Sequence, residues 1–186
     1  STKHTISGIN NLIDKAGVVT ATMYAGGDSQ KLDKLIDSTS GLKSGGKIDI
    51  EIKSDANTTN AADVGALDLL ALNAKTTGEI TFTGDIDTII GKAADVASVF
   101  ADANATTNSQ ITTAANIKVT ISDVVVTEDL TKTPPVAADP GIVQAADLVA
   151  IQKATTGVIT LTAVGAISGQ FSDVEYVMDT KKDKFA

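Results

Sequence analysis

The stretch Ala66–Gly84 (ALDLLALNAKTTGEITFTG) recurs without a gap as Ala145–Ala163 (AADLVAIQKATTGVITLTA). Both copies place the tripeptide Thr-Thr-Gly between a segment of helical apolar spacing and a segment that alternates apolar and polar residues. After a slip of one residue the match resumes, and Gly91–Val99 pairs with Gly169–Val177. Repetition over such a span indicates a repeat architecture, with two copies of a helix–TTG–strand–helix unit.

Working outward from these copies, five short segments alternate apolar and polar side chains with a period of two, which predicts strands. They are Val18–Met23, Lys47–Ile52, Glu79–Gly84, Ile117–Asp123 and Val158–Ala163. Their starts lie 29 to 41 residues apart. That spacing is too long for hairpins and fits parallel strands joined by helical crossovers.

The segments around these strands carry apolar residues at helical spacing, so each is expected to bury one stripe. The predicted helices are Ser7–Ala16, Ser29–Ser38, Ala61–Lys75, Lys92–Ala103, Gln144–Ala154 and Phe171–Asp179. In the last helix the apolar stripe is Val174, Val177 and Met178. The stretch Thr127–Gly141 contains three prolines, which exclude a regular element and predict a loop.

The strand pattern also indicates how the sheet is covered. Strands of a doubly wound sheet are apolar throughout, whereas here Ile80 and Phe82 alternate with Thr81 and Thr83. The sequence therefore predicts an α/β fold, a repeat-built one-sided β/α solenoid with a parallel sheet and helices on one face. The predicted segments are an N-terminal diverged repeat or cap (1–60), a central repeat unit (61–126), a Pro-rich loop (127–141), and a C-terminal repeat unit with a charged tail (142–186).

Composition excludes several classes of function. The 186 residues carry a formal net charge of −8 and contain neither cysteine nor arginine. No thiolate zinc site or thiol nucleophile is available, and the single histidine, His4, has no partners for a catalytic triad. A polyanion would be repelled, and no apolar run reaches the roughly 18 residues of a membrane-spanning helix. We therefore expect a non-enzymatic protein that neither binds nucleic acid nor spans a membrane.

Two sets of residues are candidate binding sites. The first set, Asp85, Asp87, Asp123, Glu128 and Asp129, could offer carboxylate oxygens to calcium, the one cofactor that the sequence suggests. The twelve-residue calcium loop is absent, so solvated loop tips are the alternative interpretation.

The second set consists of threonines that would align on an exposed sheet face. They are Thr20, Thr22, Thr81, Thr83, Thr160 and Thr162. A flat threonine array could bind an ordered lattice such as ice or a polysaccharide, or could form assembly contacts. The alternative is that threonine is simply a good strand residue.

Three patterns support a resemblance to a known group of proteins. They are AADL-x-x-I-x-x-ATTG-x-ITLT over Ala145–Ala163, ISG-x-x-x-DV-x-x-V over Ile167–Val177, and N-I-x-VTISD over Asn116–Asp123. The chain resembles repeat regions of very large acidic surface proteins of marine cyanobacteria and other bacteria, and similar segments occur in cyanophage structural proteins. The first 60 residues depart from the pattern. The resemblance implies a secreted or cell-surface structural role and brings no catalytic residues.

These observations favour a structural or adhesive repeat module of an extracellular or cell-surface assembly. Its expected partners are copies of itself or further repeats of the same chain, with surface polysaccharide as another candidate. A structural protein of a phage virion, in the tail or a capsid appendage, is the alternative. A glycan-active enzyme built on a solenoid is a third hypothesis, but a chain with six aromatic residues supplies a sugar groove poorly.

Overall fold

A computed structural model of the chain describes residues 6–16, 20–26, 35–39, 41–44, 46–53, 63–83, 86–105, 110–123, 141–180 and 185. The described strands are β1 (Thr20–Gly26), β2 (Lys47–Lys53), β3 (Asp63–Gly65), β4 (Ile80–Thr83), β5 (Thr88–Gly91), β6 (Ile111–Thr112), β7 (Lys118–Ser122), β8 (Ile142–Gln144), β9 (Ile159–Thr162) and β10 (Ala166–Ser168). The described helices are α1 (Ile6–Ala16), α2 (Ala66–Asn73), α3 (Ala93–Ala103), α4 (Ala145–Ala154) and α5 (Phe171–Glu175), the last continued by a π-helical turn, Tyr176–Thr180.

Every described strand pair is parallel, which confirms the predicted α/β class. The strands form three small sheets, in the orders β1-β2-β4-β6, β3-β5-β7-β9 and β8-β10, where the sequence predicted one. The difference arises because consecutive strands such as β4 and β5 follow each other without a helix and enter different sheets. Most of the predicted helix Ser29–Ser38 and of the loop Thr127–Gly141 lies outside the described residues.

The strand pattern predicts burial well. In β2 the side chains of Ile48, Ile50 and Ile52 are buried, while Asp49 and Glu51 between them are only partly buried. β7 follows the same alternation. One face of each of these two strands therefore joins the core, and the other retains contact with solvent.

The four helices from α2 to α5 pack against one another in chain order. They bury small and branched apolar residues, which are Ala66, Leu69 and Leu72 in α2 and Ala145, Leu148 and Ile151 in α4. The predicted helix Ala61–Lys75 begins later than expected, at Ala66, because residues 63–65 pair with β5 as a strand.

The first Thr-Thr-Gly tripeptide joins two neighbouring strands through a side chain. The hydroxyl of Thr76, which is 3% exposed, accepts hydrogen bonds from the amides of Ile48 (2.8 Å) and Gly78 (2.9 Å). It donates to the Ile48 carbonyl at 2.7 Å. The amide of Thr77 also donates to the Gly46 carbonyl at 3.1 Å. Thr76 therefore fixes the start of β4 against the start of β2, where backbone pairing alone would leave polar groups unsatisfied.

The second tripeptide repeats this arrangement. The hydroxyl of Thr155, which is 2% exposed, donates to the Ile117 carbonyl at 2.5 Å and accepts from the amide of Gly157 at 2.9 Å. The amide of Thr156 donates to the Ala115 carbonyl at 2.7 Å. The junction between β9 and β7 therefore uses the same kinds of hydrogen bond as the junction between β4 and β2, so the sequence repeat is accompanied by repeated contacts.

Two pairs of glycines explain further matches between the copies. A Cβ on Gly78 would lie 2.3 Å from the backbone of Ile48, and one on Gly157 would lie 2.3 Å from the Ile117 carbonyl oxygen. Both distances are far below a normal contact, so these glycines allow two strands to approach. Where α3 and α5 begin, Gly91 and Gly169 similarly pack against the first alanine of α2 and of α4, with a built Cβ 2.9 and 3.2 Å from the alanine Cβ.

Candidate functional site

The carboxylates predicted to bind calcium are held by protein groups where the structure describes them. Asp87 accepts hydrogen bonds from Lys118 Nζ at 2.6 Å and from Thr88 Oγ1 at 2.7 Å. The hydrogen bond from Lys118 and then that from Thr88 hold the pKa of the Asp87 carboxyl below its ordinary value. Asp87 is therefore the charge partner of a lysine on the neighbouring strand.

Asp123 has a different partner, the N-terminus of a helix. Its Oδ2 accepts a hydrogen bond from the amide of Ala93, the first residue of α3, at 2.9 Å. The N-cap residue of α3, Lys92, makes no side-chain capping bond of its own. Asp123 follows the end of β7 and so caps, from the next strand, a helix 30 residues earlier in the chain.

The structure does not bring the two described carboxylates of this set together. Asp87 is bound to Lys118, where β7 begins, whereas Asp123 follows the end of that strand, about 16 Å further along it. Among the described residues no group of three His, Cys, Asp or Glu side chains is placed to hold a metal ion. Asp85, Glu128 and Asp129 lie outside the described residues.

Asp147 is a carboxylate that the sequence did not single out as a binding residue. It lies in the first turn of α4. Burial raises the pKa of its carboxyl above the ordinary value, and the nearby Asp123 carboxylate raises it further. Two acids therefore lie close together at neighbouring helix N-termini, and ionising both is unfavourable.

We expect Asp147→Asn to stabilise the protein at pH 7, because it removes a partly buried charge and its repulsion by Asp123. A carboxyl whose pKa is raised by folding stabilises the folded state at pH values below its unfolded pKa, which is near 3.8 here. That stabilisation is lost as the pH rises through the pKa of the folded state. The advantage of the variant should therefore shrink as pH falls toward 3.8. Urea unfolding of both proteins from pH 3.5 to 8 measures this. A variant less stable at pH 7 would show that the α4 N-terminus stabilises the carboxylate more than burial and repulsion destabilise it.

The predicted threonine array is divided between two sheets. Thr81 lies in β4 of the first sheet and pairs with Thr112 of β6, whereas Thr160 lies in β9 of the second sheet and pairs with Thr120. Thr162 pairs with Ser122 in that same second sheet. The side chains of Thr20, Thr22 and Thr83 lie outside what the structure describes. The strands that carry Thr20, Thr22, Thr81 and Thr83 share the first sheet, whereas β9, with Thr160 and Thr162, belongs to the second, so the six threonines do not line one sheet.

The paired threonines of the first sheet border a groove of about 370 Å³. Its lining includes Thr81, Phe82, Ile86, Thr112, Thr113 and Ile117. The hydroxyl of Thr112 already donates to Glu79 Oε1 at 2.7 Å, so the hydroxyls of Thr81 and Thr113 supply the donors beside the apolar side chains of Phe82, Ile86 and Ile117. This chemistry suits a neutral, hydroxyl-bearing ligand better than an ion.

The other notable surface lies at the C-terminal end of the chain. We define the terminal face as the outer edge of β10 (Ala166–Ser168) together with Phe171, Val174 and Met178 on the helix that follows. Phe171 is 81% exposed and Met178 is 61% exposed. The sequence predicted Met178 to belong to a buried stripe, but of that stripe Val177 alone is fully buried. Exposed large apolar side chains on one face are typical of an interaction surface.

A comparison of the chain with protein-family models, curated protein sequences and solved structures gives no match. In the part of the chain that the structure describes, no helix combines the length and the apolar composition needed to cross a bilayer.

Proposed function

We propose that this chain is a non-enzymatic structural or adhesive repeat module of an extracellular or cell-surface assembly, built as a one-sided β/α solenoid. The observation that carries the proposal is the repeated junction. Thr76 and Thr155 each use a buried hydroxyl to join a strand to its neighbour in the same sheet, β4 to β2 and β9 to β7. Gly78 and Gly157 allow the close approach of these strands.

The solenoid interpretation draws support from the order in which the elements pack. β2, β4 and β6 add side by side in parallel, as do β3, β5, β7 and β9, and the helices stack in the same order. Each strand or helix contacts mainly the equivalent element before it and the one after it, which is the organisation of a repeat protein. Strand β7 lies between β5 and β9 in the second sheet. Its pairing with β9 is equivalent to the pairing of β2 with β4 in the first sheet.

Three of the described acids have structural partners. Asp87 pairs with Lys118, and Asp123 caps α3. Asp102, at the end of α3, accepts the amides of Gln110 (3.1 Å) and Ile111 (2.9 Å), where β6 begins. These three carboxylates link neighbouring strands and helices of the fold. Their hydrogen bonds to protein groups make them poorly suited to acid–base catalysis.

The cell-surface part of the proposal follows from the resemblance to large acidic surface proteins, and the adhesive part from the groove. A surface polysaccharide is the ligand that the threonine hydroxyls beside Phe82 would suit. An acidic repeat module of this kind would join copies of itself end to end, and calcium or other cations would favour assembly by offsetting the net charge of −8.

Sedimentation velocity tests the proposed self-association. We expect the 18.9 kDa chain to form larger species as protein concentration rises, and to do so more readily at 0.5 M than at 0.05 M NaCl. Salt has this effect because screening weakens repulsion between like-charged copies. A parallel series with calcium chloride at matched ionic strength separates ion binding from screening. A folded monomer under every condition would contradict the assembly function.

A further inference from the structure

The terminal face has an equivalent inside the molecule, and the two differ in exposure. With the offset of the second repeat, Phe171 takes the place of Ala93 and Met178 takes the place of Phe100. Ala93 and Phe100 are each 2% exposed, against 81% and 61% for their counterparts. Phe171 and Ala93 are the first residues of their helices, whereas Met178 lies in the π-helical turn Tyr176–Thr180 and Phe100 lies in the α-helix α3.

The neighbouring elements also differ between the two copies. In the first copy, β5 pairs with β3 on one side and with β7 on the other, and α3 packs between α2 and α4. In the second copy, β10 pairs with β8, and α5 packs against α4. Among the described residues, no strand pairs with the outer edge of β10.

The strand that precedes β10 in the chain, β9, is better covered. Ile159 of β9 pairs with Phe185, which occupies the place that Ile111 holds beside Ile80 in the first copy. Among the described residues, β10 and the helix after it therefore lack the cover that β9 has. The equivalent interface within the chain shows what fits there: a parallel strand, β7, lies beside β5, and a helix of the same repeat type, α4, lies beside α3.

We propose that the terminal face binds a second copy of this chain, whose β1 adds to the outer edge of β10 as a parallel strand. This rests on the proposed function. β1 comes first in the strand order β1-β2-β4-β6 and is therefore an edge strand of the first sheet. All strand pairs in that sheet are parallel. A contact between different ends of two copies leaves one end free on each, so the assembly grows as an open stack.

Two matched variants test the position of this contact. Phe171→Ser removes the most exposed apolar side chain of the terminal face, and Leu67→Ser removes another exposed apolar side chain, which is 65% exposed on α2. Both positions face solvent, so both variants should fold as the wild type does, which circular dichroism checks. We expect Phe171→Ser to weaken association about tenfold or more, and Leu67→Ser to leave it unchanged.

A mixing experiment distinguishes an open stack from a symmetric dimer. Fluorescently labelled Phe171→Ser protein retains its β1 end, so it should enter wild-type stacks and shorten them by blocking growth at one end. A symmetric contact through two terminal faces would instead exclude the variant from the assemblies, and that result would overturn the head-to-tail arrangement.

The possible failures can be told apart. Wild-type protein that never associates would overturn both the proposed function and this contact. Wild-type protein that associates, with Phe171→Ser doing so equally well, would leave the assembly function standing and refute only the terminal face as its site.

Discussion

Replacing Thr76 by valine should lower the free energy of unfolding by about 3–5 kcal/mol, although the two side chains have nearly the same shape. The hydroxyl of Thr76 satisfies the amides of Ile48 and Gly78 and the Ile48 carbonyl. Each buried polar group that loses its partner costs about 1–3 kcal/mol. Urea denaturation followed by circular dichroism measures the loss.

The chain offers two matched comparisons for this substitution. Thr77 lies beside Thr76 but is exposed, so Thr77→Val should change stability by less than about 1 kcal/mol. Thr155→Val removes the same kind of junction in the second copy. It leaves the Ile117 carbonyl and the Gly157 amide unpaired, so we expect a loss of about 2–3 kcal/mol. Similar small effects at Thr76 and Thr77 would show that the buried hydroxyl does not hold the strands together.

Gly78→Ala should also be severely destabilising, by about 4 kcal/mol or more. A Cβ at this position would lie 2.3 Å from the carbonyl carbon and oxygen of Ile48 and 2.7 Å from the Asp49 amide nitrogen. These are backbone atoms within a strand, so the clash is relieved only if β4 moves away from β2 and the bonds of Thr76 are stretched. Overpacking that shifts backbone lies at the upper end of the range for point substitutions.

A second glycine serves as the control for Gly78. A Cβ on Gly65 would lie 2.8 Å from Oδ2 of Asp68, but that atom ends a side chain that can rotate away. Gly65→Ala should therefore cost at least about 2 kcal/mol less than Gly78→Ala in the same urea assay. Equal losses at the two positions would mean that close strand approach is not the reason for the glycine in the Thr-Thr-Gly tripeptide.

Much of the secondary structure was predictable because each long element carries its own periodicity. The alternation of isoleucine with Asp49 and Glu51 identified β2 and its buried face. The strands β3, β5, β6, β8 and β10 were missed, since two to four residues are too few to show a period. β3 was assigned to the helix that follows it. The division into three sheets depends on which distant strands pair, and local sequence does not encode that choice.

The candidate sites were harder to predict than the fold. The repeat exposed the Thr-Thr-Gly tripeptides but not their role, because Thr76 acts on a residue 28 positions earlier. Asp123 was interpreted as a calcium ligand, since its helix partner is equally distant in sequence. Met178 was assigned to the core because the helical period shows which side chains share a face, and not whether a neighbouring element covers that face.

The cap that Asp123 provides for α3 has a consequence for synthesis on the ribosome. Helix α3 is synthesised before Asp123, because the carboxylate that accepts its first amide lies 30 residues further along the chain. The start of the helix is thus stabilised only when the next strand has arrived and docked. In this part of the fold, a helix made earlier in translation is completed by a segment made later.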